Sequence, residues 1–336
     1  VPTSVLRSVR AVADVTFWTG RRVVVTGGAG FLGRRVVALL EAAGARVVAP
    51  RSIDVDLTQP GHAERMISEH RPSEVFHLAA QVGGIGYNLA QPAPLYLANL
   101  LMGTHIIEAA RLGGVDNTIL VGTVCSYPKF TPVPFAETDL WNGYPEESNA
   151  PYGIAKKAHL IHAQVNALQY GQRFAYIIPT NLYGPGDKFH PSVSHVIPAL
   201  IKKCVEAAEV GASHVDVWGT GSASREYLYV DDAARAIVRA GEVDAGDGPL
   251  EPINLGADRE VTIKETVETI AELVGFTGEL RWDPSKPDGQ PRRGVDGSRA
   301  NVVLGWKPEM SFDEGLRATI DWYLANRAEA ERDPHA

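Results

Sequence analysis

Four side chains in the middle of the chain can hold a carbonyl oxygen or move a proton, and their spacing is unusual. Thr123 and Cys125 stand two residues apart in Val121-Gly-Thr-Val-Cys-Ser-Tyr-Pro-Lys129, and Tyr152 and Lys156 four apart in Tyr152-Gly-Ile-Ala-Lys156. A four-residue gap puts both side chains on one face of a helix. A lysine so placed lowers the pKa of the phenol and makes Tyr152 a proton relay near neutral pH. The Thr123 hydroxyl can bind the same substrate oxygen, and the Cys125 thiol is a separate acid/base group. Tyr-x-x-x-Lys arises by chance in many helices, so the pair carries weight only behind a dinucleotide site.

Such a site precedes it. Arg21-Arg-Val-Val-Val-Thr26 reads as a buried parallel strand. Gly27-Gly-Ala-Gly-Phe-Leu-Gly33 follows, then an apolar-periodic helix over residues 31–43 ended by Gly44, then a strand over 45–49. Strand, turn, helix and strand in that order form the βαβ unit that binds dinucleotides. Gly27, Gly30 and Gly33 permit a tight turn and close approach of a pyrophosphate to the helix N-terminus. An NAD site usually ends its second strand with an acid. Here Val48-Ala-Pro-Arg-Ser52 ends with a guanidinium instead. Arg51 suits a 2′-phosphate and favours NADP(H), the alternative being a solvated loop arginine; Asp56, next to Leu57, stands where it could bond the adenine amino group.

Further along, Glu74-Val-Phe-His-Leu-Ala-Ala-Gln81 reads as a fourth parallel strand, with His77 packed rather than catalytic. Gly83-Gly-Ile-Gly86 reads as a loop at the sugar site, residues 94–112 as a long helix, and 117–121 as the strand that delivers Thr123 and Cys125 at its carboxyl end, where ligands sit in open α/β sheets. The Tyr152 helix extends to residue 170, and 174–178 form a sixth strand. Beyond Pro179 the pattern loosens into a helix opened by Ser194–Leu200 and carrying Lys202 and Lys203, short strands at 215–219 and 225–230, a helix capped by Asp231 or Asp232, and helices over 263–274 and 312–326. The fold expected is a Rossmann-type doubly wound parallel sheet with a smaller mixed α/β carboxy-terminal substrate lobe. Residues 1–20 form a lead-in, 21–180 the dinucleotide domain (with later chain returning to it), 181–326 mainly the substrate lobe, and 327–336 a frayed tail. There is no solenoid repeat.

Composition sets the outer bounds. The chain has 336 residues, 45% of them hydrophobic and 21% charged, which is ordinary globular composition. A net charge of −8 argues against nucleic acid as main partner. Cys125 and Cys204 are the two cysteines; they have no metal-ligand spacing, no metal is expected, and a reduced, cytoplasmic protein is the simple reading. No run approaches a membrane span, and residues 1–20 lack an apolar core with a cleavage signature.

Several stretches name a family. Gln81–Asn88, Cys125-Ser-Tyr-Pro-Lys129, Ala150-Pro-Tyr-Gly-Ile-Ala-Lys156, Pro179-Thr-Asn-Leu-Tyr-Gly-Pro185, Phe189–Leu200 and Ser285-Lys-Pro-Asp-Gly-Gln-Pro291 resemble the GDP-L-fucose synthase family. These are extended short-chain dehydrogenase/reductases acting as 3,5-epimerase and 4-reductase on GDP-4-keto-6-deoxy-D-mannose. The resemblance spans nearly the whole chain. It implies a reductase triad of Thr123, Tyr152 and Lys156, with Cys125 as epimerase base and His195 as epimerase acid. Without it, His195 reads equally as a helix cap, and an inert buried thiol is the lesser reading of Cys125, given its place at a strand's carboxyl end beside Thr123. It further implies cofactor contacts at Gly27, Gly30, Phe31, Leu32, Gly33, Arg51, Asp56, Leu57, Leu78, Ala79, Ala80, Tyr152, Lys156, Pro179, Asn181 and Leu182. The GDP-linked keto-sugar would meet Gly86, Thr123, Cys125, Asn181, His195, Lys203, Trp218, Arg225 and Lys286, with Arg225 forking across the diphosphate and Trp218 read equally as core. The resemblance also implies a homodimer, paired through the two long helices.

This sequence departs from the family at three places. Thr123 replaces a serine, Ser126 replaces a common aliphatic residue and implies a more polar pocket, and the glycine fingerprint is the general extended-family form. A 6-hydroxylated, heptose or antibiotic-precursor keto-sugar therefore stays open as substrate. So do a GDP-mannose 3,5-epimerase that recycles bound NAD, a single-centre epimerase/reductase, and a non-catalytic NADP-binding regulatory protein. The absence of an acid after the second strand counts against the first of these. The intact set of five catalytic side chains counts against the last.

Overall fold

The computed structural model describes residues 16–83, 85–191, 193–243, 251–257, 259–286 and 289–332. Most of the lead-in (1–15), the end of the tail (333–336), Gly84 of the glycine loop and Pro287–Asp288 of the Ser285–Pro291 stretch lie outside them.

Strand β1 (Arg22–Thr26), helix α1 (Gly33–Ala42) and strand β2 (Arg46–Val48) form the first βαβ unit. Helix α2 (His62–His70) leads to β3 (Glu74–His77), α3 (Ile85–Ala90), α4 (Pro92–Leu112) and β4 (Asn117–Val121). Then come α5 (Ala150–Tyr170), β5 (Arg173–Pro179), β6 (Asn181–Tyr183), α6 (Val196–Glu209), β7 (His214–Trp218) and β8 (Ser224–Tyr229). The chain continues through α7 (Val230–Glu242), β9 (Ile253–Leu255), β10 (Glu260–Thr262), α8 (Ile263–Val274), β11 (Glu279–Asp283) and β12 (Arg292–Arg293). Helices α9 (Ser298–Leu304), α10 (Phe312–Ala325) and α11 (Arg327–Ala330) close it.

Six strands form a sheet in the order β2-β1-β3-β4-β5-β9, every pairing parallel. Strand order reverses at β1, so the crevice beyond β1 and β3 is the place for a ligand. Parallel strands covered on both faces alternate their side chains between two cores. Val24, Val75, Leu120 and Ile178 pack on the side of α2, α4 and α5. Val23, Val25, Phe76, Ile119 and Ile177 pack on the side of α1 and α7. A third core, with Tyr183, Phe189, Ile201, Val217 and Tyr323, fills the second lobe. That lobe joins β8 to β6, β10 and β12, and β7 to β11. Strand β9 brings later chain back beside β5.

Several sequence expectations need correction. Glu74–His77 is the third strand and Arg173–Pro179 the fifth, because the stretch between β2 and β3 folds only as α2. Helix α1 starts at Gly33, since the turn through Gly30 occupies the preceding residues. Gly86 lies inside α3, not in a loop. Neither Asp231 nor Asp232 caps α7; both lie in its first turn. Buried Asp232 instead accepts the backbone N–H groups of Glu309 and Met310 at 3.1 and 2.9 Å, fastening the chain ahead of α10. The expected frayed tail docks over α11: the Phe189 N–H donates to the Ala330 carbonyl, Lys202 pairs with Glu331, and Ala330 is buried.

Candidate active site

The turn after β4 sets the geometry. Thr123, in extended conformation, caps a single 3₁₀ turn over Val124–Ser126, and its Oγ1 accepts the Cys125 N–H at 3.2 Å. Cys125 therefore sits in the turn beyond the strand end, half-buried and not in a disulfide. The Ser126 hydroxyl is buried and donates to the Gly153 carbonyl at 3.0 Å. It pins the turn to α5 and does not make the pocket more polar, contrary to expectation. Gly153 is needed for this contact: a Cβ there would lie 2.5 Å from the Cys125 carbonyl oxygen.

That close approach brings Tyr152, in the first turn of α5, against Cys125. Lys156 follows one turn later, its Nζ 5.8 Å from the Tyr152 ring centre. Beneath them the Tyr176 hydroxyl donates to the Lys156 carbonyl at 2.7 Å, and a Cβ on Gly122 would meet the Tyr176 ring at 2.5 Å. Desolvation dominates the ionisation of the pair. Burial, reinforced by Cys125, pushes the Tyr152 phenol up, and burial pushes Lys156 down to about 8. The depressed phenol expected from the spacing is absent because both groups have lost water together.

Arg293 of β12 escaped sequence reasoning. It is nearly buried, and its Nη1 donates to Cys125 Sγ at 3.6 Å. Its Nε donates to Gln290 Oε1 at 3.2 Å, while Gln290 Nε2 donates to the Lys129 carbonyl at 2.9 Å. Arg225 lies in register with Arg293 on β8, and its Nη1 donates to the carbonyls of Ser224 and Gln290. Asn181 donates to the Glu226 carbonyl.

A second cluster stands on β7. Trp218 is 63% exposed, which removes the core reading, and the Lys203 and Lys286 ammonium groups lie 5.8 and 5.5 Å from its ring. Lys203 also donates to the Asp216 carbonyl. His195 is the exposed N-cap residue of α6, yet its side chain makes no capping bond. Asp187 faces it electrostatically; burial pushes that carboxyl up while His195 opposes the shift. Among the described residues, Asp187 Oδ2 has no hydrogen-bond partner.

The glycine turn has the form of a dinucleotide cradle. Gly27 has φ +72°, and a Cβ on it would sit 2.7 Å from Ala79 N; one on Gly33 would sit 2.1 Å from the Gly27 carbonyl oxygen. Thr26 Oγ1 shares a hydrogen bond with His77 Nδ1 at 2.8 Å and ties β1 to β3. His77 is fully packed and burial pushes its pKa down, so it is a neutral strand residue. Phe31, Leu32, Leu78, Ala79, Ala80 and Leu182 are half-buried around the carboxyl edge, with Pro179 buried at the end of β5. Arg51 is exposed beyond β2. Asp56 Oδ1 accepts the Thr58 hydroxyl and N–H, which hold that carboxyl low. Leu57 is buried. These residues fit a dinucleotide, and the exposed side chain beyond β2 is a guanidinium rather than a carboxylate. No group of His, Cys, Asp or Glu among the described residues could hold a metal ion, and no helix among them is long and apolar enough to cross a membrane.

A parallel sheet with a glycine cradle and a Thr–Tyr–Lys set at its carboxyl edge defines a dinucleotide-dependent short-chain dehydrogenase or epimerase. Residues 23–256 match the NAD dependent epimerase/dehydratase family. GDP-L-fucose synthase 1 of Arabidopsis thaliana is 42% identical over 306 residues, covering 91% of this chain and 94% of that protein. GDP-L-fucose synthase of Escherichia coli strain K12 is 38% identical, covering 91% and 98%. The crystal structure of a GDP-L-fucose synthetase from Naegleria fowleri bound to NADP superposes with a TM-score of 0.83 at 28% identity, covering 94% and 97%. The chain thus belongs to the NAD dependent epimerase/dehydratase family and, within it, to the GDP-L-fucose synthases.

Proposed function

We propose that this chain is an NADPH-dependent GDP-sugar 3,5-epimerase/4-reductase, converting GDP-4-keto-6-deoxy-D-mannose, or a closely related keto-sugar, to GDP-L-fucose or its counterpart. The observation that carries it is the close contact of Gly153 with the Cys125–Ser126 backbone, which brings the first turn of α5, with Tyr152, up to the turn that follows Thr123.

A 4-keto group acidifies the protons on the carbons either side. Cys125 takes such a proton, the electron pair moves to the keto oxygen, and Thr123 and Tyr152 hold that oxygen by hydrogen bonds. His195 returns a proton to the opposite face. NADPH, when bound in the glycine cradle with Arg51 at its 2′-phosphate, supplies the hydride for the ketone carbon. Tyr152 then donates its proton to the oxygen. Here the raised phenol is an advantage, because reduction needs a protonated acid. Lys156, near 8, stays mostly charged at neutral pH and can resupply the proton. Asn181, Arg225, Lys203, Trp218 and Lys286 would hold the nucleotide sugar, the last three as an aromatic face between two cations.

Two further readings accompany this one. Ile161, Val165 and Leu168 leave an exposed apolar stripe along α5, flanked by Tyr96 and Leu97 of α4, which suits a homodimer. The two free cysteines suit a reducing, cytoplasmic setting.

The test is a single reaction of protein, NADPH and GDP-4-keto-6-deoxy-D-mannose in heavy water. NADPH loss with two solvent deuterons in the product is expected. One deuteron would reduce the assignment to a single-centre epimerase/reductase. Deuterium uptake without NADPH loss would replace it with a redox-silent epimerase, and no reaction would reject this substrate.

A further inference from the structure

We infer that Arg293 is the positioning residue of the epimerisation base: its guanidinium holds Cys125 Sγ in place and stabilises the thiolate that removes the proton beside the keto group. The inference rests on the reading of Cys125 as that base.

The geometry is specific. Arg293 Nη1 reaches Sγ at 3.6 Å, and the side chain is only 9% exposed, so its charge acts through little water. It is aimed from two sides. Strand β12 runs parallel to β8 with Arg293 opposite Arg225, and Gln290 accepts Nε of Arg293 while its own amide is anchored to the Lys129 carbonyl. The strap Lys129–Gln290–Arg293–Cys125 thus starts and ends on the segment that carries the thiol. The other groups facing the sulfur work differently. Thr123 Oγ1 accepts the Cys125 N–H, which fixes the turn but gives the sulfur no charge. Tyr152, whose phenol burial and Cys125 both push up, stays protonated and brings the sulfur no compensating cation. Among the described residues Arg293 brings a cation within hydrogen-bond reach of the thiol, and Arg225, its neighbour in register, is turned to the carbonyls of Ser224 and Gln290.

In the step assigned, the thiol has lost its proton to solvent. The thiolate forms an S–H bond as the sugar C–H bond breaks, and the C–H electron pair passes to the keto oxygen. Arg293 touches neither the reacting carbon nor that oxygen; it acts through the sulfur.

The test uses the full chain and iodoacetamide, which reports thiolate directly: the S–C bond forms as iodide leaves. Cys125→Ser gives the blank for buried Cys204. An opposite charge within about 4–6 Å favours an ionised group by roughly tenfold or more. Arg293→Met should therefore slow alkylation of Cys125 about tenfold at neutral pH, with the difference closing in strong alkali where the thiol ionises unaided. Arg293→Lys, which keeps the charge, should stay within about threefold of the parent. Unchanged alkylation in Arg293→Met overturns the inference, as does a loss that Lys fails to restore or one that persists undiminished in alkali. A rise in KM for the GDP-sugar with unaltered alkylation would make Arg293 a phosphate ligand instead. Retention of solvent-deuterium exchange by Cys125→Ser would sink the thiol as base, while the alkylation results would still decide the coupling of Arg293 to Cys125.

Discussion

Gly153→Ala puts the central contact to the test. The added Cβ would lie 2.5 Å from the Cys125 carbonyl oxygen, 3.0 Å from its carbon and 3.2 Å from Ser126 Cα. All three are backbone atoms, so no rotamer change relieves the clash. Ordinary contact begins near 3.4 Å, so α5 and the Thr123–Ser126 turn must part by about 0.9 Å. Two stability terms oppose each other. Overpacking costs about 1–3 kcal/mol, and replacing a helical glycine by alanine returns about 1 kcal/mol. The net loss is at most about 2 kcal/mol, a small change in melting temperature for a chain of this size. The rate responds far more. A misplacement near 1 Å between catalytic groups costs about a hundredfold. The expected result is a folded protein, melting within a few degrees of the parent, that oxidises NADPH with GDP-4-keto-6-deoxy-D-mannose about a hundredfold more slowly. Near-ultraviolet absorbance and a thermal melt suffice. A rate within threefold of the parent would refute the claim that this contact sets Tyr152 against Cys125.

Burial lowers Lys156 to about 8 from an ordinary 10.5, so below pH 8 the folded state carries the full desolvation penalty, ~3 kcal/mol, which fades between pH 8 and 10.5 as the folded chain releases its proton before the unfolded one does. Lys156→Met should melt higher than the parent at pH 7 and converge with it near pH 10, while ketone reduction falls by about 10²–10⁴-fold; a lower melting temperature at pH 7 would contradict this. Arg51→Ala should weaken NADPH about tenfold and leave NADH unchanged in a fluorescence titration, and equal losses would remove Arg51 from the 2′-phosphate. Leu168→Glu together with Val165→Glu should yield monomers in sedimentation equilibrium, and an unaltered mass would place any self-association elsewhere.

Legibility in the sequence followed the range of the interactions. The sheet was readable because its signals are local: Val23, Val24 and Val25 alternate between two cores, and Gly27, Gly30 and Gly33 answer to contacts within one turn and its neighbouring strand. Tyr152 and Lys156 were readable for the same reason, since four residues of helix bring them to one face. Their ionisation was not, because it depends on the water that folding removes, and spacing carries no information about burial. The tail misled by composition: charged residues without an apolar stripe look solvated, yet Lys202, Glu209 and Phe189 receive them.

Arg293 marks the limit. It lies 168 residues from Cys125, on a two-residue strand with no periodicity, beside a second arginine that faces Glu260 instead. The Ser285–Pro291 stretch pointed to the neighbourhood but assigned a role only to Lys286. What could have found Arg293 is a charge argument: a thiol asked to act as a base beside a phenol needs a nearby cation. Lys156 is engaged with Tyr152, and His195 is proposed as the partner acid, so that cation has to come from elsewhere in the chain. In the fold it comes from β12, through the pairing with β8 that also sets Arg225, so one short strand couples the thiol to the side chain proposed to grip the diphosphate.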